Sequence, residues 1–178
     1  HALSWRLSGE RDVERVVCAP GNPGIAAVAH CLPVDLASPQ ALLQIAQREQ
    51  IDVTVVGPEL PLSRGVVDVF NAAGRPIVGP TRAAARLESS KSFAKGFMAR
   101  HRVPTAAFYV CDSPSDALTM IERGNFGYPL VLKADGLAAG KGVVIADDRD
   151  TAEVTVRSMM VERRFGDAGD RVVLEEFL

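Results

Sequence analysis

The stretch YPLVLKADGLAAGKGVVIAD, residues 128–147, constrains the fold more than any other part of this chain. Two apolar β-branched runs, Pro129–Lys133 and Val143–Ala146, flank a loop in which Gly136, Gly140 and Gly142 sit among small alanines. The pattern reads as strand, glycine-rich loop, strand. A loop with so little side chain can lay its backbone N–H groups against a ligand, and phosphate is the usual guest of such a nest. Lys133 and Lys141 bracket the loop and could supply charge. A Walker A loop is excluded, because it needs four residues between its glycines, a Ser or Thr after the lysine, and a following helix. Here Leu137, Ala138 and Ala139 intervene, Gly142 follows Lys141, and a strand follows that. The plainer reading is a flexible β-hairpin connection.

Before this loop, the spacing predicts helices over Thr81–Leu87 and Ser90–His101, with Ser90 as N-cap and Phe93, Phe97 and Met98 as an apolar stripe. Lys91 and Lys95 are four apart and share the other side, and Lys95 reads as a solvated surface lysine. Of the 20 basic residues only Lys91, Lys95, Lys133 and Lys141 are lysines, so compact ammonium groups are concentrated in these two places. Thr105–Val110 is expected as a strand, Pro114–Arg123 as a helix, Thr151–Arg164 as a helix and Arg171–Leu178 as a strand. That order describes an α+β unit with partly antiparallel pairing.

The first 85 or so residues follow a different rhythm. His1–Leu7 has the spacing of a short helix, Val13–Ala19 that of a strand, and Ala19–Gly24 (APGNPG) is a loop of turn formers. Pro33–Leu36 is a candidate short strand, and Ser38 or Pro39 opens a helix through Glu49 with Leu42, Leu43, Ile45 and Ala46 on its buried side. Ile51–Gly57 is a near-continuous β-branched run, as in a strand buried on both faces. A helix over Val66–Ala73 and a strand over Arg75–Val78 complete the pattern. Alternating strands and helices imply a doubly wound α/β unit with a parallel sheet and right-handed crossovers.

Ligands of such sheets sit outside the carboxyl ends of the strands, which directs attention to APGNPG and to GPELPL, residues 57–62. Gly57 and Pro58 would hold the Glu59 carboxylate at the sheet rim, where it could accept from ribose hydroxyls or an amine. Glu59 reads equally well as a first-turn acid favouring a helix N-terminus. Asn22 reads better as a turn residue than as a ligand contact.

Composition narrows the functional classes. The chain of 178 residues is 47% hydrophobic and 24% charged, ordinary for a globular protein, and its net charge of −2 offers no electrostatic footprint for nucleic acid. No apolar run approaches a membrane span, and no signal peptide is visible. Cys18, Cys31 and Cys111 form neither a disulfide framework nor a zinc pattern, which suits a cytoplasmic setting. The sequence does not fix an oligomeric state.

Taken together and in order, HALSW, APGNPG, VGPELPL, GPTRAAARLESSKSFAKGFM, LVLKADGLAAGKGVV and VVLEEFL resemble the amino-terminal part of the glycinamide ribonucleotide synthetase family. The resemblance covers essentially all 178 residues. It implies a substrate-side α/β domain over residues 1–88 and a partial ATP-grasp domain over 89–178. It further implies an ATP-dependent C–N ligase of purine biosynthesis, joining glycine to 5-phosphoribosylamine through glycyl phosphate, with ATP and Mg²⁺. Rival expectations are another ATP-grasp carboxylate–amine ligase, or a non-catalytic nucleotide-binding module.

The resemblance also assigns roles. Lys133 and Lys91 would contact the ATP phosphates, with the loop carrying Gly136, Gly140, Lys141 and Gly142 closing over them. Glu175 or Glu176 would accept from the adenine amine, and Phe177 and Leu178 would offer backbone groups. Gly57, Pro58 and Glu59 would line the phosphoribosylamine pocket, with Asn22 nearby. Members of the family begin with a strand and a glycine-rich turn before the His-Ala-Leu segment, and carry the metal ligands and the glycine site after the position of Leu178. These 178 residues alone are therefore expected to have no ligase activity, and glycine-dependent ADP release in a coupled assay would overturn that. Ser89 stands where a glycine is common in the family.

Overall fold

A computed structural model describes residues 1–138 and 140–178; Ala139, one of the loop alanines, lies outside the described residues. The chain divides into two compact units, His1–Ala85 and Arg86–Leu178.

The first unit contains α1 (Ala2–Ser8), β1 (Val17–Cys18), β2 (His30–Cys31), α2 (Pro39–Arg48), β3 (Thr54–Val55), α3 (Glu59–Ser63), α4 (Val66–Ala72) and β4 (Ile77–Val78), and the chain enters α5 (Arg82–Ser89) at its end. Helix α2 starts where expected: Ser38 Oγ accepts from the Ala41 N–H and Pro39 fills the first turn, where a missing N–H costs nothing. Ala46 of α2 packs with Val66, Val67 and Phe70 of α4, flanked by Leu42, Leu43, Ile51, Val56, Leu62 and Ile77. Arg75 fastens this cluster by donating to the carbonyls of Ala46 (3.1 Å) and Ile51 (2.7 Å).

Strand pairing in this unit is parallel, as the alternating pattern implies, with Val17 opposite His30 and Thr54 opposite Ile77. The sheet is nevertheless divided into two pairs, β1–β2 and β3–β4, and no strand joins them among the described residues. Three expectations need correction here. The run from Ile51 to Gly57 is not buried on both faces: Val53, Val55 and Val78 are 55%, 45% and 57% exposed. The α2–α4 layer covers only the side holding Val56 and Ile77, and β-branching alone does not bring a second layer. The second strand is His30–Cys31, not Pro33–Leu36, because Pro33 has no N–H for a ladder and Asp35 Oδ1 accepts from the Ala37 N–H in a turn. The strand expected over Val13–Ala19 shortens to Val17–Cys18, as long as its partner β2.

The second unit comprises α6 (Lys91–Arg100), β5 (Phe108–Cys111), α7 (Pro114–Arg123), β6 (Leu130–Ala134), β7 (Val143–Ala146), α8 (Arg149–Val156) and β8 (Val172–Glu176). Its strands form one antiparallel sheet in the order β5-β8-β6-β7. Serine and aspartate caps set the helix starts: Ser90, Ser113 and Asp148 each accept from the N–H three residues on. Helix α8 widens at Arg157–Val161 into a π turn rather than continuing as α-helix to Arg164.

Antiparallel register sorts the side chains into two faces. Leu132, Val144 and Leu174 lie opposite one another on one face, which packs on α7 and α8. There Ala117, Ala134, Ala146 and Ala152 are fully buried, and their small size lets the helices approach the sheet closely. The other face carries Val131, Lys133, Val143, Ile145, Val173 and Glu175. That second face holds the chemistry.

Candidate functional site

Glu175 lies near the end of β8, the second strand of the sheet, and is only 3% exposed. A carboxylate so placed must be paired or it will not stay charged. Two ammonium groups pair with it. Lys133, beside it on β6, donates to Glu175 Oε2 at 2.7 Å, and Lys95 of α6 approaches the same oxygen at 2.9 Å. The other oxygen, Oε1, is buried and has no hydrogen-bond partner among the described residues. The trio therefore carries one net positive charge and one buried acceptor without a donor. Such a pair of features suits a ligand with an anionic part and an N–H or amine part.

Lys133 differs from its neighbour in exposure: its side chain is 27% accessible, against 8% for Lys95. Beside Lys133 on the same face, Val143 and Ile145 of β7 are 47% and 52% exposed. A flat apolar surface next to a reachable cation is the composition of a site for an aromatic base bearing phosphate.

The glycine loop rises directly from this face. Asp135, at the end of β6, ties the loop to the start of α6: its carboxylate accepts from the Ser92 N–H (2.6 Å), the Ser92 hydroxyl (2.8 Å) and the Ser90 hydroxyl (3.2 Å). Lys91 Nζ donates to the Gly136 carbonyl at 3.1 Å. Burial holds the Lys91 ammonium below the ordinary lysine range, opposed by the Asp135 carboxylate and reinforced by the charge of Lys133. Gly140 has φ +77°, a conformation that side chains resist. Gly142 is buried, and a Cβ there would meet Ala138 Cβ at 2.6 Å. A bulkier loop would not fold back in this way.

The structure thus brings Lys91, Lys133, Gly136 and Glu175 together, and adds Lys95. Lys95 is the correction: it is buried, not solvated, and its ammonium also donates to Thr105 Oγ1 (2.7 Å) and the Ala106 carbonyl (3.4 Å). Lys141 stands apart, exposed on the loop. Glu176 is turned to the opposite face by strand alternation, and its Oε1 accepts from the Ala107 N–H at 2.7 Å. Phe177 and Leu178 extend past the strand, 50% and 87% exposed. Sequence reasoning missed Lys95, Val143 and Ile145. The period-2 pattern of β7 held the signal for the last two, since Val143 and Ile145 fall on the face of Lys133.

An open hollow of about 470 Å³ lies nearby, lined by Asp112, Asp135, Gly136, Asp167, Asp170 and Arg171. Four carboxylates against one guanidinium make it repulsive to phosphate, so the Lys133 face is the better anion site.

In the first unit, Gly57, Pro58 and Glu59 are exposed, with Pro58 preceding α3 and Glu59 in its first turn. Asn22 Oδ1 accepts from the Ile25 N–H at 3.0 Å and so fixes the turn that leads into the 3₁₀ segment Ile25–Ala27. No hydrogen bond joins the two loops among the described residues.

Comparison with known proteins now bears on these features. Residues 1–88 match phosphoribosylglycinamide synthetase, N domain, and residues 89–178 match phosphoribosylglycinamide synthetase, ATP-grasp (A) domain. The phosphoribosylamine–glycine ligase of Xylella fastidiosa is 49% identical over 180 residues, which cover 100% of this chain and 41% of that protein. The crystal structure of phosphoribosylamine–glycine ligase from Thermotoga maritima superposes with a TM-score of 0.79 at 28% identity, over 100% of this chain and 41% of that one. A biotin carboxylase domain from Hydrogenobacter thermophilus, TM-score 0.78 at 17% identity over 98% of this chain and 42% of that one, shares the fold. The chain spans about two fifths of the length of these relatives. With both halves matched in order, the chain belongs to the phosphoribosylglycinamide synthetase family.

Proposed function

We propose that the Lys133–Glu175 face binds ATP, and that the whole protein is the ligase its relatives are named for. It joins glycine to 5-phosphoribosylamine, with ATP converted to ADP and phosphate through glycyl phosphate. The observation that carries the nucleotide reading is the Glu175 carboxylate, with one oxygen held by two lysines and the other buried without a donor. The adenine ring lies on Val143 and Ile145, its exocyclic amine donates to Glu175 Oε1, and Lys133 turns to the phosphates. Glu176 is the poorer acceptor, because the Ala107 N–H already occupies its oxygen. The loop with Gly136, Gly140 and Gly142 covers the phosphates, and Lys91 approaches them from the start of α6; exposed Lys141 contributes charge at most. Phe177 and Leu178 supply backbone groups to the base.

This division of labour suits phosphoryl transfer, which demands positioning and charge neutralisation more than covalent help. An acyl phosphate converts an unreactive carboxylate into an electrophile that an amine can attack. A covering loop keeps water from that intermediate. Gly57, Pro58 and Glu59 line the side that receives phosphoribosylamine. Among the described residues no group of three or more His, Cys, Asp or Glu could hold a metal ion. No step is therefore assigned to metal ligands here.

Calorimetric titration of ATP tests the reading. A charge-assisted contact to phosphate contributes about 1.5–3 kcal/mol, so Lys133→Ala should weaken ATP roughly 10- to 100-fold. Unchanged affinity would remove Lys133 from the site.

A further inference from the structure

Lys95 has no place in the scheme above, yet it is one of the most completely engaged side chains in the second unit. It is 6% exposed. Its three ammonium protons face three acceptors: Glu175 Oε2 at 2.9 Å, Thr105 Oγ1 at 2.7 Å and the Ala106 carbonyl at 3.4 Å. The Phe108 ring centroid lies 5.5 Å from Nζ, a further attraction for a cation. A lysine so surrounded is a fixed internal charge.

Lys133 presents the opposite case. It is three times as accessible, and Glu175 Oε2 is the hydrogen-bond acceptor it meets among the described residues. If Lys133 were the sole counterion of Glu175, moving it to a ligand would leave a buried carboxylate bare, which is strongly unfavourable. With Lys95 in place, Glu175 stays neutralised whichever way Lys133 points.

We propose that Lys95 is a positioning residue: a permanent counterion for Glu175 that frees Lys133 to engage an anionic ligand and holds Glu175 Oε1 toward the ligand's amine. The proposal rests on the nucleotide reading of this face and adds a division of roles between its lysines. Lys95 never touches the nucleotide. It acts through Glu175, and its effect falls on the phosphate part of the ligand, not on the base.

The test compares ATP with adenosine, which offers the same base and no phosphate, by calorimetry on the full chain. In wild-type protein ATP should bind at least tenfold more tightly than adenosine. In Lys95→Met the preference for ATP should fall by at least tenfold, because Lys133 is then held by Glu175, while adenosine affinity changes less than threefold. Neutralising the carboxylate as well, in Lys95→Met/Glu175→Gln, should release Lys133 and restore most of the preference for ATP over adenosine; the weaker contact to the base is common to both ligands and cancels in that ratio. A merely structural role for Lys95 does not produce that rescue. The double variant buries no unpaired carboxylate, so it also serves if Lys95→Met alone fails to fold. A double variant whose preference for ATP is no better than that of Lys133→Ala overturns the proposal, as does Lys95→Met with an unaltered preference. If Lys133→Ala fails to weaken ATP, the nucleotide reading falls and this proposal falls with it; if only the Lys95 variants behave as wild type, the nucleotide reading stands and this proposal alone is lost.

Discussion

Removing the Asp135 carboxylate should unfasten the two elements that carry the lysines. Asp135 directly follows β6, which bears Lys133, and it accepts from the first residues of α6, which bears Lys91 and Lys95. Its two short bonds, from the Ser92 N–H at 2.6 Å and the Ser92 hydroxyl at 2.8 Å, involve an ionised acceptor. Bonds of this kind contribute about 1.5–3 kcal/mol each, and an anion at a helix N-terminus adds about 0.3–1 kcal/mol. The carboxylate is 14% exposed, so water replaces part of what is lost and the lower end applies. Asp135→Ala should therefore cost about 3 kcal/mol. With an m-value of about 2 kcal/mol/M, the urea midpoint falls by about 1.5 M. Ser92→Ala, which keeps the backbone bond, should cost about 1 kcal/mol. The double variant Ser92→Ala/Asp135→Ala should be little less stable than Asp135→Ala, since the hydroxyl has already lost its shortest bond and keeps only the longer contacts to Ser90 Oγ (3.2 Å) and Arg171 Nη1 (3.4 Å). A loss under about 1 kcal/mol for Asp135→Ala, at unchanged m, would refute this reasoning.

Other substitutions probe the scaffold and the loop. Leu132→Ala, at a fully buried position in the sheet core, should lower stability by about 2–5 kcal/mol in the same urea titration. Gly142→Val should cost about 1–3 kcal/mol, because its side chain would be driven against Ala138 and Ala134; a circular dichroism melt at wild-type temperature would contradict this. The Cys111 thiol, fully buried and pushed up to about 12 chiefly by desolvation, should resist alkylation at pH 8 until the protein unfolds, while Cys18 and Cys31 react first in a mass-resolved time course. Because the folded state holds this thiol neutral, its contribution to stability is complete below pH 9 and is lost as pH rises from 9 toward 12. Cys111→Ala should flatten that part of the stability profile.

Much of the second unit was legible in the residues themselves. The helix expected over Pro114–Arg123 is found with those bounds, because proline is tolerated in a first helical turn. The two β-branched runs around the glycines became β6 and β7 because the loop between them is made of small residues that can fold back. The buried lysine was not legible. Helical spacing says that Lys91 and Lys95 share a face, but which face is covered depends on β8, some 80 positions along, and on the acceptors Thr105 and Ala106. The choice between Glu175 and Glu176 was equally hidden. Alternation places them on opposite faces, and only the paired strands reveal that Lys133 belongs with Glu175. In the first unit, Val53 and Val55 show the reverse failure: a β-branched run predicts a strand, whereas its burial depends on layers contributed by other elements.

The central claim is that the face bearing Lys133 and Glu175 is the nucleotide site, and a crystal structure with a non-hydrolysable ATP analogue tests it most directly. The predicted result has the exocyclic amine within hydrogen-bond distance of Glu175 Oε1, the base against Val143 and Ile145, and Lys133 turned from Glu175 to phosphate while Lys95 stays in place. An analogue bound away from this face, or bound here with Glu175 Oε1 still without a donor, would contradict it.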